Sequence, residues 1–279
     1  MNRNNVGTIR QLGVIFQRDT DLFISDPKKI ASTLLFPAVI AVVIVVVSKD
    51  SIFANYEGTK SALFTILCAG IYVGMFNSLT SICKERKIIK REYMTNMSLA
   101  SYVIALVFFQ GILVMMQSLI FMLIYWGQID FPSHGLWFGN AFWDYYVTLF
   151  LVMFISDLMG MVISSAVKTN EMANLIAPIV IIIQLVLSGV LFDLDGNVKY
   201  AANLTVSKWG MEAFGALSAL NDEDLAIQEA FPMIPHDTEA AYEATAAHLV
   251  YTWEILLLMG VVLTIACIIL LSRVEKDSR

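Results

Sequence analysis

Few side chains in this sequence could do chemistry, and most of them sit inside long apolar runs. Asp157 is the one acid set well within such a run, with Gly160 and Ser164 after it and no second acid, Lys or Arg placed to form a relay. A carboxyl there either carries a proton or is held by a neighbour as a structural group. Neutral polar groups recur at helical spacing: Asn77 shares a face with Thr80, Gln110 with Gln117, and Asn174, Gln184 and Ser188 with Ala177 and Ile181. Such amides and hydroxyls either bond helix to helix or touch the polar part of a passing ligand. Cys68, Cys83 and Cys267 lie in or beside apolar runs and do not form a disulfide framework. His134, His236 and His248 fall outside the centres of those runs, and neither HExxH nor CxxC occurs, so no metal centre is expected. The sequence offers no convincing nucleophile–base set, which weighs against an intramembrane enzyme.

The elements that position these groups follow from composition. Of 279 residues, 58% are hydrophobic and 15% charged, with mean hydropathy +0.70. That is more apolar surface than a soluble core can bury, so the chain reads as an all-α membrane protein. Six runs suit membrane spans, at 30–48, 60–82, 101–126, 144–166, 173–192 and 249–272. They define a transmembrane domain over 30–272, after a leader at 1–29 too long and mixed for a signal peptide, and before a tail at 273–279. Of the 18 Lys and Arg, all but Lys49, Lys60, Lys199 and Lys208 fall on one side of these spans. Positive charge marks the cytoplasmic side, so both termini are expected there. The net charge of −6 resides mainly in an outer segment, 193–248, rich in Asp and Glu. It therefore says nothing for or against a cytosolic partner, and no nucleic-acid partner is expected.

Three pieces lie outside the spans. Residues 8–24 place Ile9, Leu12, Ile15, Phe16, Leu22 and Phe23 near one helical face, which predicts an amphipathic helix at the cytoplasmic interface. Ser25-Asp26-Pro27 ends it and opens the first span, with a capping acid and a first-turn proline. Residues 83–98 form the densest charge run, interleaved with Ile88, Ile89, Tyr93, Met94 and Met97. A short helix parallel to the membrane fits it. Charge alone fits two uses, setting topology or docking a cytosolic partner. In the outer segment, 206–214 reads as a short helix with a Ser207 cap, whose Trp209 and Phe214 suit an interfacial or re-entrant position. The acidic stretch 221–243, with Pro232 and Pro235, is expected to form an exposed lid. Asn203-Leu204-Thr205 has the form of a glycosylation sequon, a pattern short enough to arise by chance.

Three stretches carry a family likeness: Phe76-Asn77-Ser78-Leu79-Thr80 with Lys84-Glu85-Arg86 and Lys90-Arg91-Glu92; Gly160 to Ser165 with Asn170-Glu171-Met172-Ala173, Pro178 and Gln184 to Ser188-Gly189; and Ser207-Lys208-Trp209-Gly210-Met211-Glu212-Ala213. In this order, over nearly the whole chain, they resemble the membrane domain of type-2 ABC exporters, nearest the G subfamily (the White and pleiotropic-drug-resistance group) and its bacterial relatives. Val206-Ser207 stands where that family usually has a proline-containing lead.

The resemblance implies six transmembrane helices with an N-terminal connecting helix, a cytoplasmic coupling helix and an outer re-entrant or cap segment before the last helix. It implies a permease in a bacterial plasma membrane, paired with a second permease copy or homologue. It also implies an ABC ATPase, separate or fused, that holds ATP and Mg; the sequence has no GxxxxGK[ST] loop and binds no cofactor of its own on this reading. By the same likeness Phe76, Asn77, Thr80, Gln184 and Ser188 line a substrate cavity, while Phe16, Arg18, Glu85, Arg86, Lys90, Arg91 and Glu92 receive the ATPase's motion. The rival readings are a proton-coupled secondary transporter using Asp157 and a non-transporting membrane scaffold. An apolar cavity with a few amides suits lipids, amphiphilic drugs and peptides equally.

Overall fold

The computed structural model describes residues 7–48, 52–53, 56–95, 97–129, 131–132, 134–192, 194, 196–222 and 239–273. Among them there is no strand. Lys49, Asp193, Asp195, both lid prolines and all but the edges of the expected 221–243 lid fall outside the described residues, as do 1–6 and 274–279.

The helices are α1 (Thr8–Ile24), α2 (Pro27–Ser48), α3 (Tyr56–Ser78), α4 (Ser81–Met94), α5 (Leu99–Trp126), α6 (Ala141–Ala166), α7 (Asn170–Val186), α8 (Asn197–Ala202), α9 (Val206–Leu217) and α10 (Ala246–Leu271), with a 3-10 turn at Ala240–Tyr242 before the last. Their starts follow from local chemistry. Pro27 opens α2 while Asp26 Oδ1 accepts the Lys29 amide at 3.1 Å. Ser98, Asn140, Thr169 and Thr245 accept first-turn amides of α5, α6, α7 and α10.

Among the described residues, five helical stretches are long and apolar enough to cross a membrane: α2, α3 within Tyr56–Met94, α5, α6 and α10. Two expected spans come out differently. The run at 60–82 breaks after Ser78, because the next turn leaves helical geometry at Thr80 and α4 starts anew. The run at 173–192 yields α7, only 17 residues, or about 26 Å at 1.5 Å per residue. It ends at Val186, and Gly189 turns the chain with φ 77°, a conformation open to glycine.

At the centre lies α6, packed on α3, α10, α5 and α9. Its tightest partner is α3. A Cβ at Gly74 would strike the Met153 carbonyl, and one at Gly160 the Met75 carbonyl, so the two backbones touch. By contrast α2 and α10 turn long apolar faces outward, Leu35 to Val47 and Leu257 to Ile269. Exposed surface of that kind is stable only in lipid, which makes this an integral membrane protein.

One sequence expectation gains detail here and another is corrected. In α1, Ile15 is buried and Leu12, Phe16 and Phe23 pack on α5, the two phenyl rings 6.5 and 5.8 Å from Phe109, but Ile9 and Leu22 are exposed. In α9 the cap is Thr205, whose side chain accepts the Lys208 amide, whereas Ser207 faces inward. Trp209 and Phe214 are buried, as is nearly the whole helix, between α3, α6 and α10.

Candidate functional site

At the end of the bundle where basic residues cluster, α4 is gripped from two sides. Ser164 Oγ, in the last turns of α6, accepts the Ile82 and Cys83 amides, both at 3.0 Å. These are among the orphan donors of the α4 N-terminus, so a side chain from another helix does the work of a cap. In return, Arg86 Nη1 donates to the Ser165 and Val167 carbonyls at 3.0 and 2.9 Å, where α6 ends. A cation at a helix C-terminus is also favoured by its dipole. The Cys83 thiol reaches Asn170 Oδ1 at 3.1 Å, which ties in the start of α7.

The second grip comes from α1. The Arg18 guanidinium pairs with Asp19 at 2.9 Å, Glu85 at 3.0 Å and Glu92 at 3.7 Å. Burial works against the Arg18 charge, but the Asp19 and Glu85 carboxylates outweigh it and hold the group above its ordinary pKa. The Tyr102 hydroxyl of α5 donates to Glu85 at 3.4 Å, and Gln11 accepts the Ser98 amide at 2.9 Å. So α1, α4, α5 and the end of α6 form one collar.

This collar sorts the residues expected to receive motion. Arg18, Glu85, Arg86 and Glu92 bond within the chain, and Phe16 packs on Phe109. Lys90 is half-buried, and Arg91 is exposed. Arg91 lies on an outward stripe of α4 with Lys84, Lys87, Ile88 and Met94, at spacings of three and four. The collar thus fixes one face of α4 and leaves a basic, partly apolar face uncovered by this chain.

The expected cavity residues do not gather in one place: Asn77 and Thr80 line a cleft under α1, Ser188 lines another beside α9, and Phe76 and Gln184 line neither of these two. Phe76 packs beside Ile176 and Val180 of α7, its ring 4.4 Å from Tyr72. Asn77 points the other way, exchanging hydrogen bonds with Gln117 at 2.5 and 3.0 Å, while Gln117 also donates to the Thr33 carbonyl at 2.8 Å. Thr80 sits at the turn before α4, its carbonyl accepting the Lys84 amide at 3.2 Å. Gln184 is buried: its side-chain oxygen accepts the Ser207 amide at 3.1 Å, and its carbonyl accepts the Ser207 hydroxyl. Ser188, also buried, closes its own turn through the Leu185 carbonyl at 2.7 Å. Gln184 therefore fastens α9 to α7 and does not line open space. The open face of α7 is apolar, with Met172, Leu175, Ile179, Ile182, Ile183 and Val186 exposed.

Asp157 is wholly buried between α6 and α3. The Ser78 hydroxyl beside it gives its hydrogen to the Asp157 carbonyl, and the carboxyl oxygens have no partner among the described residues. No group of three His, Cys, Asp or Glu among those residues could hold a metal. Two groups that matter here, Ser164 and Asp19, were not singled out as site residues. Ser164 carried a signal in its spacing from Gly160; Asp19 carried none beyond its place in an amphipathic helix.

Residues 10–216 match the family described as ABC-2 type transporter. A protein of Mycobacterium tuberculosis described as an ABC transporter ATP-binding/permease protein is 24% identical over 247 residues. The match covers 85% of this chain and 28% of that protein, so the chain spans little more than a quarter of its relative's length. The family is the transmembrane part of ABC transporters and carries no ATPase site itself. With most of its length matched, and with five long apolar helices among its described residues, the chain belongs to the ABC-2 type transporter family as a membrane permease domain.

Proposed function

We propose that this chain is the permease of an ATP-driven exporter that moves a hydrophobic or amphiphilic substrate, with ATP and Mg held by an ABC ATPase, separate or fused. The observation that carries the reading is α4: locked to α1 and α6 on one side, it offers Lys84, Lys87, Ile88, Arg91 and Met94 on the other. Force applied to that face reaches α6, the central helix, through Ser164 and Arg86. On this reading α4 is the coupling helix, α1 the connecting helix, α7 a short sixth span, and the basic end and both termini face the cytoplasm of a bacterium. The substrate path runs along the open apolar face of α7 beside Phe76, against a second permease copy. Asn77, Thr80, Gln184 and Ser188 flank it and fix the helices that form it.

The test is to purify the tagged chain from its own host's membranes and measure ATP turnover and transport in reconstituted vesicles. We expect an ABC ATPase in the complex. Changing Glu85 and Arg91 together should uncouple turnover from transport while the protein stays inserted and folded. Unchanged transport in that variant, or a complex that transports without consuming ATP, overturns the reading.

A further inference from the structure

A cleft of about 190 Å³ opens under α1, lined by side chains of α1 to α5. Its two halves differ in chemistry. One carries charges of both signs: Asp19 and Glu85 with Lys29 and Lys84. The other is a mostly apolar wall of Leu22, Leu106, Phe109 and Leu113, with Gln110 set among them. The cleft lies at the basic end of the bundle, where an amphipathic helix meets the start of the first apolar helix and so marks the interface between headgroups and acyl chains.

One atom in it is out of place for a finished structure. The Asp19 side chain is nine-tenths buried, and while Oδ1 takes two hydrogen bonds from Arg18, Oδ2 has no partner among the described residues. A buried carboxylate oxygen without a donor is costly. Burial pushes the Asp19 carboxyl up, against the opposing pull of Arg18. A cationic donor brought into the cleft would relieve both.

We infer that this cleft binds the headgroup of a zwitterionic phospholipid bearing a primary amine. Its ammonium takes the Asp19 carboxylate, whose enclosed Oδ2 turns into the cleft to meet it, with Glu85 nearby; its phosphate meets Lys29 and Lys84, and its chains start along Leu22, Leu106, Phe109 and Leu113. An anionic lipid satisfies the lysines and leaves Asp19 unpaired. A trimethylated headgroup brings the positive charge without an N–H. The site is not the α7 face proposed for the substrate, although Asn77 and Thr80, placed beside that path, also line this cleft; it needs no ATPase to be tested.

The experiment is native mass spectrometry of the purified full chain, titrated with phosphatidylethanolamine, phosphatidylcholine and phosphatidylglycerol of identical chains, with free phosphoethanolamine as a fourth probe. A charge-assisted hydrogen bond predicts that phosphatidylethanolamine is retained about tenfold more tightly than phosphatidylcholine. Asp19→Asn should abolish that preference. Lys29→Gln with Lys84→Gln, both exposed, should weaken the two zwitterionic lipids alike. Equal retention of all three lipids, or tightest binding of phosphatidylglycerol, overturns the inference. Phosphoethanolamine binding as tightly as the lipid overturns it too, because the ligand would then be a soluble amine. The comparison of lipids on the unmodified chain decides the matter even if Asp19→Asn loosens α1.

Discussion

Ser164 illustrates how much one hydroxyl can do where two helices meet. It accepts two amides that have no other acceptor among the described residues, so Ser164→Ala leaves both unpaired. The expected loss is about 1–2 kcal/mol, read as a lower midpoint in thermal unfolding of the purified chain in detergent. Asp157 makes the opposite case. With Ser78 as its polar neighbour and no basic partner among the described residues, it lacks the paired charge a proton relay needs. Asp157→Asn should keep transport, and keep it indifferent to an uncoupler at constant ATP. Loss of transport on adding an uncoupler to the unmodified protein, with ATP held constant, would favour the secondary-transporter reading. At this scale the sequence was legible in part. It located Asn77, Gln110, Gln117 and Gln184 at helical spacing as interhelical or ligand groups, but a period cannot say which neighbour an amide will meet. Gln184 met the Ser207 amide, which lies 23 residues on and across a turn made by Gly189.

Among elements, the decisive contact is α3 against α6. Gly74→Val or Gly160→Val puts a branched side chain where a carbonyl already stands, so the pair must separate. Either variant should lose monodispersity in size-exclusion chromatography, while Gly13→Ala, where nothing lies within 4 Å of the added carbon, should not. The free face of α4 makes a separate prediction. Lys87→Glu with Arg91→Glu should reduce co-purification of the ATPase at least severalfold yet leave the thermal midpoint of the permease unchanged, because neither side chain belongs to the collar. Charge density alone marked residues 83–98 as a helix of interest. It did not reveal that Arg86 and Glu85 turn inward and Arg91 outward, since that division is set by α1 and α6. The Ser207 cap was misplaced for the same reason: Thr205 and Ser207 are both capping residues by type, and only the depth of the slot holding α9 turns Ser207 toward α7.

For the whole molecule, the uneven packing of the helices is the main fact. α3 and α6 are enclosed, whereas α2, α7 and α10 show wide apolar faces. Lipid covers such a face as well as a second copy does, so a direct test is needed. A cysteine at Ile179, in the exposed stripe of α7, should crosslink to its mate in a second copy in membranes. One at Leu258, on the outward face of α10, should not. Absence of crosslinking at Ile179 and at neighbouring Leu175 would place the pairing face elsewhere. The overall plan was readable because apolar runs of membrane length are hard to mistake. The short α7 was the exception, since Leu187 to Phe192 continue the apolar composition past the point where the helix stops.

The burial of α9 bears on how the chain is made. Its slot has walls from α3, α6 and α10, and α10 is the last of these to leave the ribosome. Until Ala246 to Leu271 is inserted, α9 has α3, α6 and α7 beside it and an uncovered flank carrying Trp209. Packing of α9 therefore has to wait for α10. A nascent chain stalled before α10 leaves the Trp209 side of α9 uncovered.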